Sequence, residues 1–426
     1  VMTSLPLRPQ ASRLTAPQAF WWSTGIEDTF ITEPWPSTGR TLDEYELTGH
    51  YERWAEDLSL AAALGVKTIR YGIPWHRVEP ARGQWDWDFP DKTLGRLLDL
   101  GIDPIVDLVH YGLPRWLHGA YLNPDYPERV AEYASGLAGR FQGRIFWYTP
   151  LNEPRITAWY CGRLGWWPPF RRGWSGFIAV MMAIARGIVR TVQALQAVDP
   201  EILAVHVDAT DLYETPDPAL AGEGERRQEI VFLSLDLVSG RVNREHPLWA
   251  WLLHHGAGES DLAWFQENAI DLPFIGLNLY PMFTKKRLQR EARGRLRIRQ
   301  PYAPGDLVAQ LGRLYHARYK SPLFVSETAS IGSVAKRQRW MDDSIAAVKI
   351  LRTEGIPMVG YTWWPMFDMV AWAYRQGTRN PANYVAPMGL WDLDPVTLDR
   401  TPTPLVGSYQ ACVAGGISAV GLLKTG

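Results

Sequence analysis

Phe146-Trp-Tyr-Thr-Pro-Leu-Asn-Glu-Pro154 is a short apolar run closed by an amide, a carboxylate and a proline. A carboxylate at the end of a strand-like run is costly unless it faces a polar cavity or has a partner. A second run of the same kind, Leu323-Phe-Val-Ser-Glu-Thr328, ends in Glu327. Two such ends in one chain point to an acid and a nucleophile, Glu153 and Glu327, facing one pocket. Cleavage of a glycosidic bond needs such a pair. One carboxyl supplies a proton to the leaving oxygen, and the other sets negative charge against the developing oxocarbenium ion.

Outward from these two runs, the chain alternates β-rich apolar stretches with amphipathic helical ones, which argues for an α/β fold with parallel strands. Strands are expected over 20–25, 66–73, 103–109, 145–150, 202–208, 272–278, 323–326 and 356–363. Helical patterns cover 51–64, 92–100, 128–141, 176–198, 306–319 and 337–353. Gly65, Gly101 and Gly355 follow three of these helices, where a left-handed C-terminal residue is expected. The recurring order of helix, glycine and strand predicts a single-domain (β/α)8 TIM barrel with extended loops at the C-terminal face of the strands. The barrel is expected over 19–415, after an N-terminal extension of residues 1–18 and before a tail of 416–426.

A length of 426 residues suits such a barrel, and an apolar fraction of 46% is ample for its core. The net charge of −1 gives no argument for nucleic acid or an anionic membrane surface. Cys161 and Cys412 are the only cysteines, so no disulfide framework is expected. No uncharged apolar run approaches about 18 residues, so no membrane span is expected. Val1 to Pro17 lacks the continuous apolar core of a leader, which makes a cytoplasmic location the expectation. Twenty-one tryptophans are far above ordinary usage. Most belong to core and rim packing, and a minority suits stacking on the apolar faces of sugar rings.

Two segments interrupt the rhythm. Residues 208–224 are acidic and Pro-bearing and read as a long loop after the fifth strand. Residues 285–299 carry eight basic residues against one Glu, immediately after the sixth strand. A charge run is most often a solvated surface. Loops after barrel strands nevertheless lie on the catalytic face, so contact with an anionic substrate, lipid or partner is the alternative.

Candidate binding residues fall at other strand ends. Arg70, late in the second strand, is placed to hold one carboxyl ionised while proximity of the pair raises the other. Asn152, beside Glu153, is a donor to a sugar hydroxyl. His110 ends the third strand, Asn278 and Tyr280 the sixth, and Trp363 and Trp364 the eighth. Any one alone reads as structural; their conjunction at the C-terminal ends of strands points to a carbohydrate or glycoconjugate substrate. His254-His255 are adjacent rather than spaced along a helix face, which argues against a zinc site. The chemistry needs no metal or cofactor, and none is expected.

Several of these motifs together resemble the glycoside hydrolase clan A barrels, in particular glycoside hydrolase family 1. Thr149-Pro-Leu-Asn-Glu-Pro154 resembles that family's acid/base motif, and Gly162-Arg-Leu-Gly-Trp-Trp-Pro-Pro169 follows at about the spacing of its Gly-rich loop. Ile69-Arg-Tyr-Gly-Ile-Pro-Trp-His-Arg77 resembles its second-strand segment, and His110-Tyr-Gly-Leu-Pro114 its His-Trp-Asp-Leu-Pro. Gly360-Tyr-Thr-Trp-Trp-Pro-Met-Phe-Asp368 and Met388-Gly-Leu-Trp-Asp392 resemble its last strand and the segment beyond. The resemblance runs in order over roughly residues 20 to 410. It implies Glu153 as acid/base, Glu327 as nucleophile, and Arg70 and Tyr280 in contact with the nucleophile. It also implies that His110 and Asn152 contact the sugar and that Trp364 lies beneath it.

The departures concern the sugar. The family's Thr-Glu-Asn-Gly is here Ser326-Glu-Thr-Ala329. Positions that read sugar hydroxyls in the family, a Gln and a Glu, fall on Phe30 and Ala371 by counting from neighbouring motifs. Each lost hydrogen-bonding group removes on the order of 1–3 kcal/mol in a desolvated pocket. Glu27, Asp28, Arg375 and the basic segment are candidate replacements. The leading reading is a retaining hydrolase of a β-linked glycoside, with carboxyls about 5–5.5 Å apart and a covalent glycosyl-enzyme intermediate. A transglycosylase would use the same two glutamates, with Trp166, Trp167 and Trp372 suited to its acceptor site. The third reading is a carbohydrate-binding barrel that has lost catalysis.

Overall fold

A computed structural model describes residues 20–291 and 294–417. The expected N-terminal extension, and all of the tail except Gly416 and Ile417, lie outside the described residues. All eight expected strands are present: β1 (Trp21–Gly25), β2 (Thr68–Gly72), β3 (Asp103–Asp107), β4 (Trp147–Thr149), β5, β6 (Ile275–Asn278), β7 (Leu323–Thr328) and β8 (Met358–Trp363). β5 is interrupted at Val205 into Leu203–Ala204 and His206–Ala209. The first piece pairs with β4 and the second with β6, all in parallel. Pairing of β1 with both β2 and β8 completes the ring, so the barrel runs in chain order.

Alternation along the strands divides the side chains into two sets. One set points inward: Trp21, Ile105, Trp147, Leu203, Val205, Val207, Phe274, Phe324 and Val359 form a closed cluster. Trp21 meets Trp147 edge to face at 5.3 Å and Phe274 at 5.8 Å, so rings plug the barrel beneath its mouth. Two tryptophans of the excess are spent on this floor, where each buried ring contributes on the order of 2 kcal/mol. The other set faces the helical shell and forms the larger core.

The six expected helices appear with shifted ends. Among the described residues, Gly173–Val198 is the helix long and apolar enough to cross a membrane by length and composition. Thirteen of its residues are buried, and it packs against Tyr126–Arg140 in the shell. Arg186 and Arg190, off that buried face, reach Asp261 and Glu128.

Two expectations need correction. Segment 208–224 is not a plain loop, because it carries the strand Leu212–Glu214 and the start of a helix, Ala221–Val238. The basic segment is a hairpin, Lys285–Arg290 against Leu296–Arg299, and its first strand runs parallel to Leu212–Glu214. The charge density hides a period-two pattern in which Lys286 and Leu288 share one face. Leu288 is fully buried. The acidic and basic segments are partners: Glu214 accepts from Lys285 at 2.6 Å and Arg287 at 3.1 Å. A three-stranded sheet therefore stands beside the mouth of the barrel, where a loop was expected.

Candidate active site

Backbone geometry aims the two glutamates. Glu153 lies just beyond β4 with φ +45°, a left-handed conformation that costs a non-glycine residue on the order of 1–2 kcal/mol. Pro154 then opens the helix Pro154–Ala158, its missing N–H costing nothing at that position. On β7 strict alternation would send Glu327 outward, because Phe324 points in and Val325 out. A bulge prevents this. Asn278 pairs with Glu327 while Leu277 pairs with Val325, and the register with β8 shifts over the same residues. The extra residue turns the carboxylate toward the mouth.

Arg70 is fully buried and ties the two strand ends together. Its guanidinium donates to Glu327 Oε1 at 2.6 Å, Asp107 Oδ2 at 2.5 Å, Asn152 Oδ1 at 3.0 Å and the Ser326 carbonyl at 3.2 Å. Tyr280 Oη donates to the other oxygen of Glu327 at 2.7 Å. Asn278 Nδ2 donates to Glu153 Oε1 at 3.0 Å and Asn152 Oδ1 at 3.2 Å, and its own Oδ1 accepts from Ser326 at 2.6 Å. Tyr111 Oη donates to the remaining oxygen of Glu153. The glutamates thus belong to one hydrogen-bonded network on the wall of a cavity of about 420 Å³.

Their environments differ. Burial pushes the Glu327 carboxyl up to about 7; Arg70 opposes this and Glu153 adds to it. Burial likewise raises Glu153, against the hydrogen bonds from Tyr111 and Asn278. Like charges in one dry site leave one proton for the pair near neutral pH. Glu327 holds Arg70, whose guanidinium favours its charged form, and no ion pair does the same for Glu153 among the described residues.

Asn152 Oδ1 is taken by Arg70 and Asn278, which leaves Nδ2 facing His110 Nε2 at 2.8 Å. The ring's Nδ1 lies 2.5 Å from Asp28 Oδ1 and 3.4 Å from Asp107 Oδ2, and against the effect of burial these carboxylates hold the His110 pKa well above its usual value. The Asp28 contact is close but poorly aligned for a hydrogen bond. Asp28, His110 and Asp107 lie together, as do Glu229, Asp236 and His246. Arg70 pairs with Asp107 in the first group, and Arg318 pairs with Glu229 and Asp236 in the second.

Of the expected binding residues, His110, Asn278 and Tyr280 line the cavity with both glutamates, while Arg70 and Asn152 stand behind them. Trp363 is a correction. A register shift at Val359 leaves Val359 inward and sends Tyr361 and Trp363 to the outer core, where Trp363 Nε1 donates to the Met388 carbonyl at 3.2 Å. Trp364 is also buried away from the cavity wall. Its ring lies parallel to His110 at 5.7 Å, under the Arg70 guanidinium at 4.7 Å, and Nε1 donates to Glu27 at 2.9 Å. Gly25 permits this, since a Cβ there would sit 2.0 Å from the ring.

Phe30 packs against Tyr45 and His76, and Glu27 lines the cavity in its neighbourhood. Ala371 lines the cavity beside Trp372. Arg375 is spent on the carbonyls of Glu33 and Trp166. Sequence reasoning missed Tyr111, although its replacement of Trp in the His-Trp-Asp-Leu-Pro pattern was visible.

Two expected results arise here. Tyr111→Phe removes the hydrogen bond that lowers the Glu153 pKa, so that pKa rises. An acid that must be protonated then stays active to higher pH, and the alkaline limb of kcat/KM should move upward. A limb that stays put or moves down contradicts the assigned contact. Arg70→Met leaves Asp107 and Glu327 buried without their cation, at about 3–5 kcal/mol of folding stability. Urea unfolding measures it, and a loss well under about 1 kcal/mol would show the cation to be dispensable.

The barrel and its carboxyl pair define a class, the α/β-barrel glycosidases. A family model described as glycosyl hydrolase family 1 matches residues 23–219. Thermostable beta-glucosidase B of Thermobispora bispora is 27% identical over 92% of the chain and 89% of that protein. The bifunctional beta-D-glucosidase/beta-D-fucosidase of Bifidobacterium breve is 33% identical, over 33% of the chain and only 36% of that protein. The structure of a Thermotoga maritima beta-glucosidase in complex with noeuromycin superposes with a TM-score of 0.80, at 20% identity, over 93% of this chain and 98% of that one. The likeness to glycosyl hydrolase family 1 thus spans residues 23–219, a little under half of the chain.

Proposed function

We propose that the protein is a retaining glycosidase that cleaves a β-linked glycoside, with Glu153 as acid/base and Glu327 as nucleophile. The observation that carries the reading is the asymmetry of the pair: Glu327 is gripped by Arg70 and Tyr280, while Glu153 has hydrogen bonds but no ion pair among the described residues. In the first step Glu327 bonds to the anomeric carbon as the glycosidic C–O bond breaks, and Glu153 gives its proton to the departing oxygen. In the second, Glu153 takes a proton from water, whose oxygen displaces Glu327 and releases the sugar with its starting configuration. Tyr280 and Arg70 orient the nucleophile and hold its charge until attack.

The substrate pocket is rebuilt relative to the family pattern. Glu27, held by Trp364 and by Thr29 at 2.5 Å, offers a carboxylate to sugar hydroxyls where the counted position is apolar Phe30. The names of the relatives put β-glucosides and β-fucosides first among the sugars to try. The test is incubation with 2-deoxy-2-fluoro glycosides carrying dinitrophenyl leaving groups, followed by intact and peptide mass measurement. A glycosyl adduct on Glu327 is expected. Neither adduct nor turnover across a broad sugar panel would overturn the reading in favour of a binding barrel.

A further inference from the structure

The cavity wall has a second charged constellation, on the side of β4, β5 and β6. Arg155 follows the acid/base candidate by two residues, Asp211 follows β5, and Lys286 is on the basic hairpin; all three line the cavity. Arg155 takes Asp211 in an ion pair at 3.0 Å and donates to the Ala209 carbonyl at 3.0 Å. Lys286 Nζ lies 3.8 Å from the other Asp211 oxygen, beyond hydrogen-bond reach. Its side chain is only 14% exposed, so this ammonium has lost most of its water, and its nearest counter-charge among the described residues stays 3.8 Å away. Asp208, the next carboxylate, is held below by Ser234 and the Ala209 and Arg155 amides and does not line the cavity.

The hairpin's alternation makes this placement systematic. Lys285 and Arg287 point one way and are consumed by Glu214, whereas Lys286 shares the face of buried Leu288 and enters the cavity. Thr210, Thr284 and Gln300 add polar groups along the same wall. We infer that Lys286, backed by Arg155, reads an anionic group, carboxylate or sulfate, on the leaving-group side of the substrate. The side follows from the roles proposed above: Glu153 protonates the departing oxygen, and Arg155 and Lys286 lie on its flank. Glu27 and His110 enter the cavity from the ends of β1 and β3. The carboxylates that would repel an anion are engaged: Asp211 by Arg155, Glu327 by Arg70, and Glu27 by Trp364 and Thr29.

This inference rests on the glycosidase reading for its orientation, and its test is independent of turnover. Calorimetry on the Glu153→Gln protein compares 4-carboxyphenyl with 4-carbamoylphenyl β-glycosides, isosteric aglycones that differ in charge, in the glucoside, galactoside and fucoside series. The carboxylate should bind about tenfold more tightly than the amide in at least one series. The preference should vanish on adding Lys286→Met, persist with Lys286→Arg, and weaken with salt. Equal affinities, tighter binding of the amide, no binding of the carboxylate in any series, or a preference untouched by Lys286→Met would each overturn it. Labelling of Glu327 without an anion preference would leave the glycosidase reading standing and remove this one. An anion preference without labelling would do the reverse.

Discussion

Glu327→Gln is expected to lower kcat/KM on an aryl glycoside by on the order of 10⁴-fold or more, with the fold intact. The amide keeps the shape of the side chain and a carbonyl oxygen to accept from Arg70, with its NH2 turned to the Tyr280 hydroxyl, but it cannot form the ester with the anomeric carbon. The loss should appear in kcat, because the removed interaction exists only as the C–O bond breaks. The fluoro-sugar adduct should vanish in parallel. Arg70 then holds one buried carboxylate instead of two, so unfolding separates a structural loss from a chemical one. Activity within about tenfold of the parent, in a variant with unchanged unfolding, would remove Glu327 from the nucleophile's role.

Glu153→Ala should cost about 10²- to 10⁴-fold on a glycoside whose leaving group needs protonation. With a dinitrophenolate, which departs without help, the first step should be nearly untouched and the second should become limiting. Azide then fits the vacated space and attacks without a general base, restoring the rate and giving a β-glycosyl azide. Retention follows from two inversions at the same carbon. An α-azide, or no rescue with an activated substrate, would show that Glu153 is not the acid/base. Tyr111 gives a finer check, since its hydrogen bond is made to Glu153 and not to Glu327.

Much of the barrel was readable from local pattern. The apolar runs and the glycines after helices mark where strands begin, and all eight were found near the expected places. The basic segment was harder. Its alternation is buried under eight charges, and its strand partner, Leu212–Glu214, is more than seventy residues earlier. Trp363 and Trp364 show the same limit from the other side. Both end an apolar strand, but one faces the outer core and the other is roofed by Arg70 and His110.

For Glu153 and Glu327, the sequence by itself determined that two carboxylates end apolar runs and therefore need a cavity, because desolvating a lone charge is too costly. Composition and periodicity likewise determined a parallel α/β barrel. Only the tertiary structure decided which carboxylate has a cation beside it, since that depends on Arg70 reaching across from β2 to β7. It also decided that Glu327 faces inward at all, through a bulge that no period-two reading contains. The placement of Lys286 in the cavity depends on strand pairing between segments far apart in the chain. Local pattern reports what each residue needs; the closed ring of strands decides which partner meets the need.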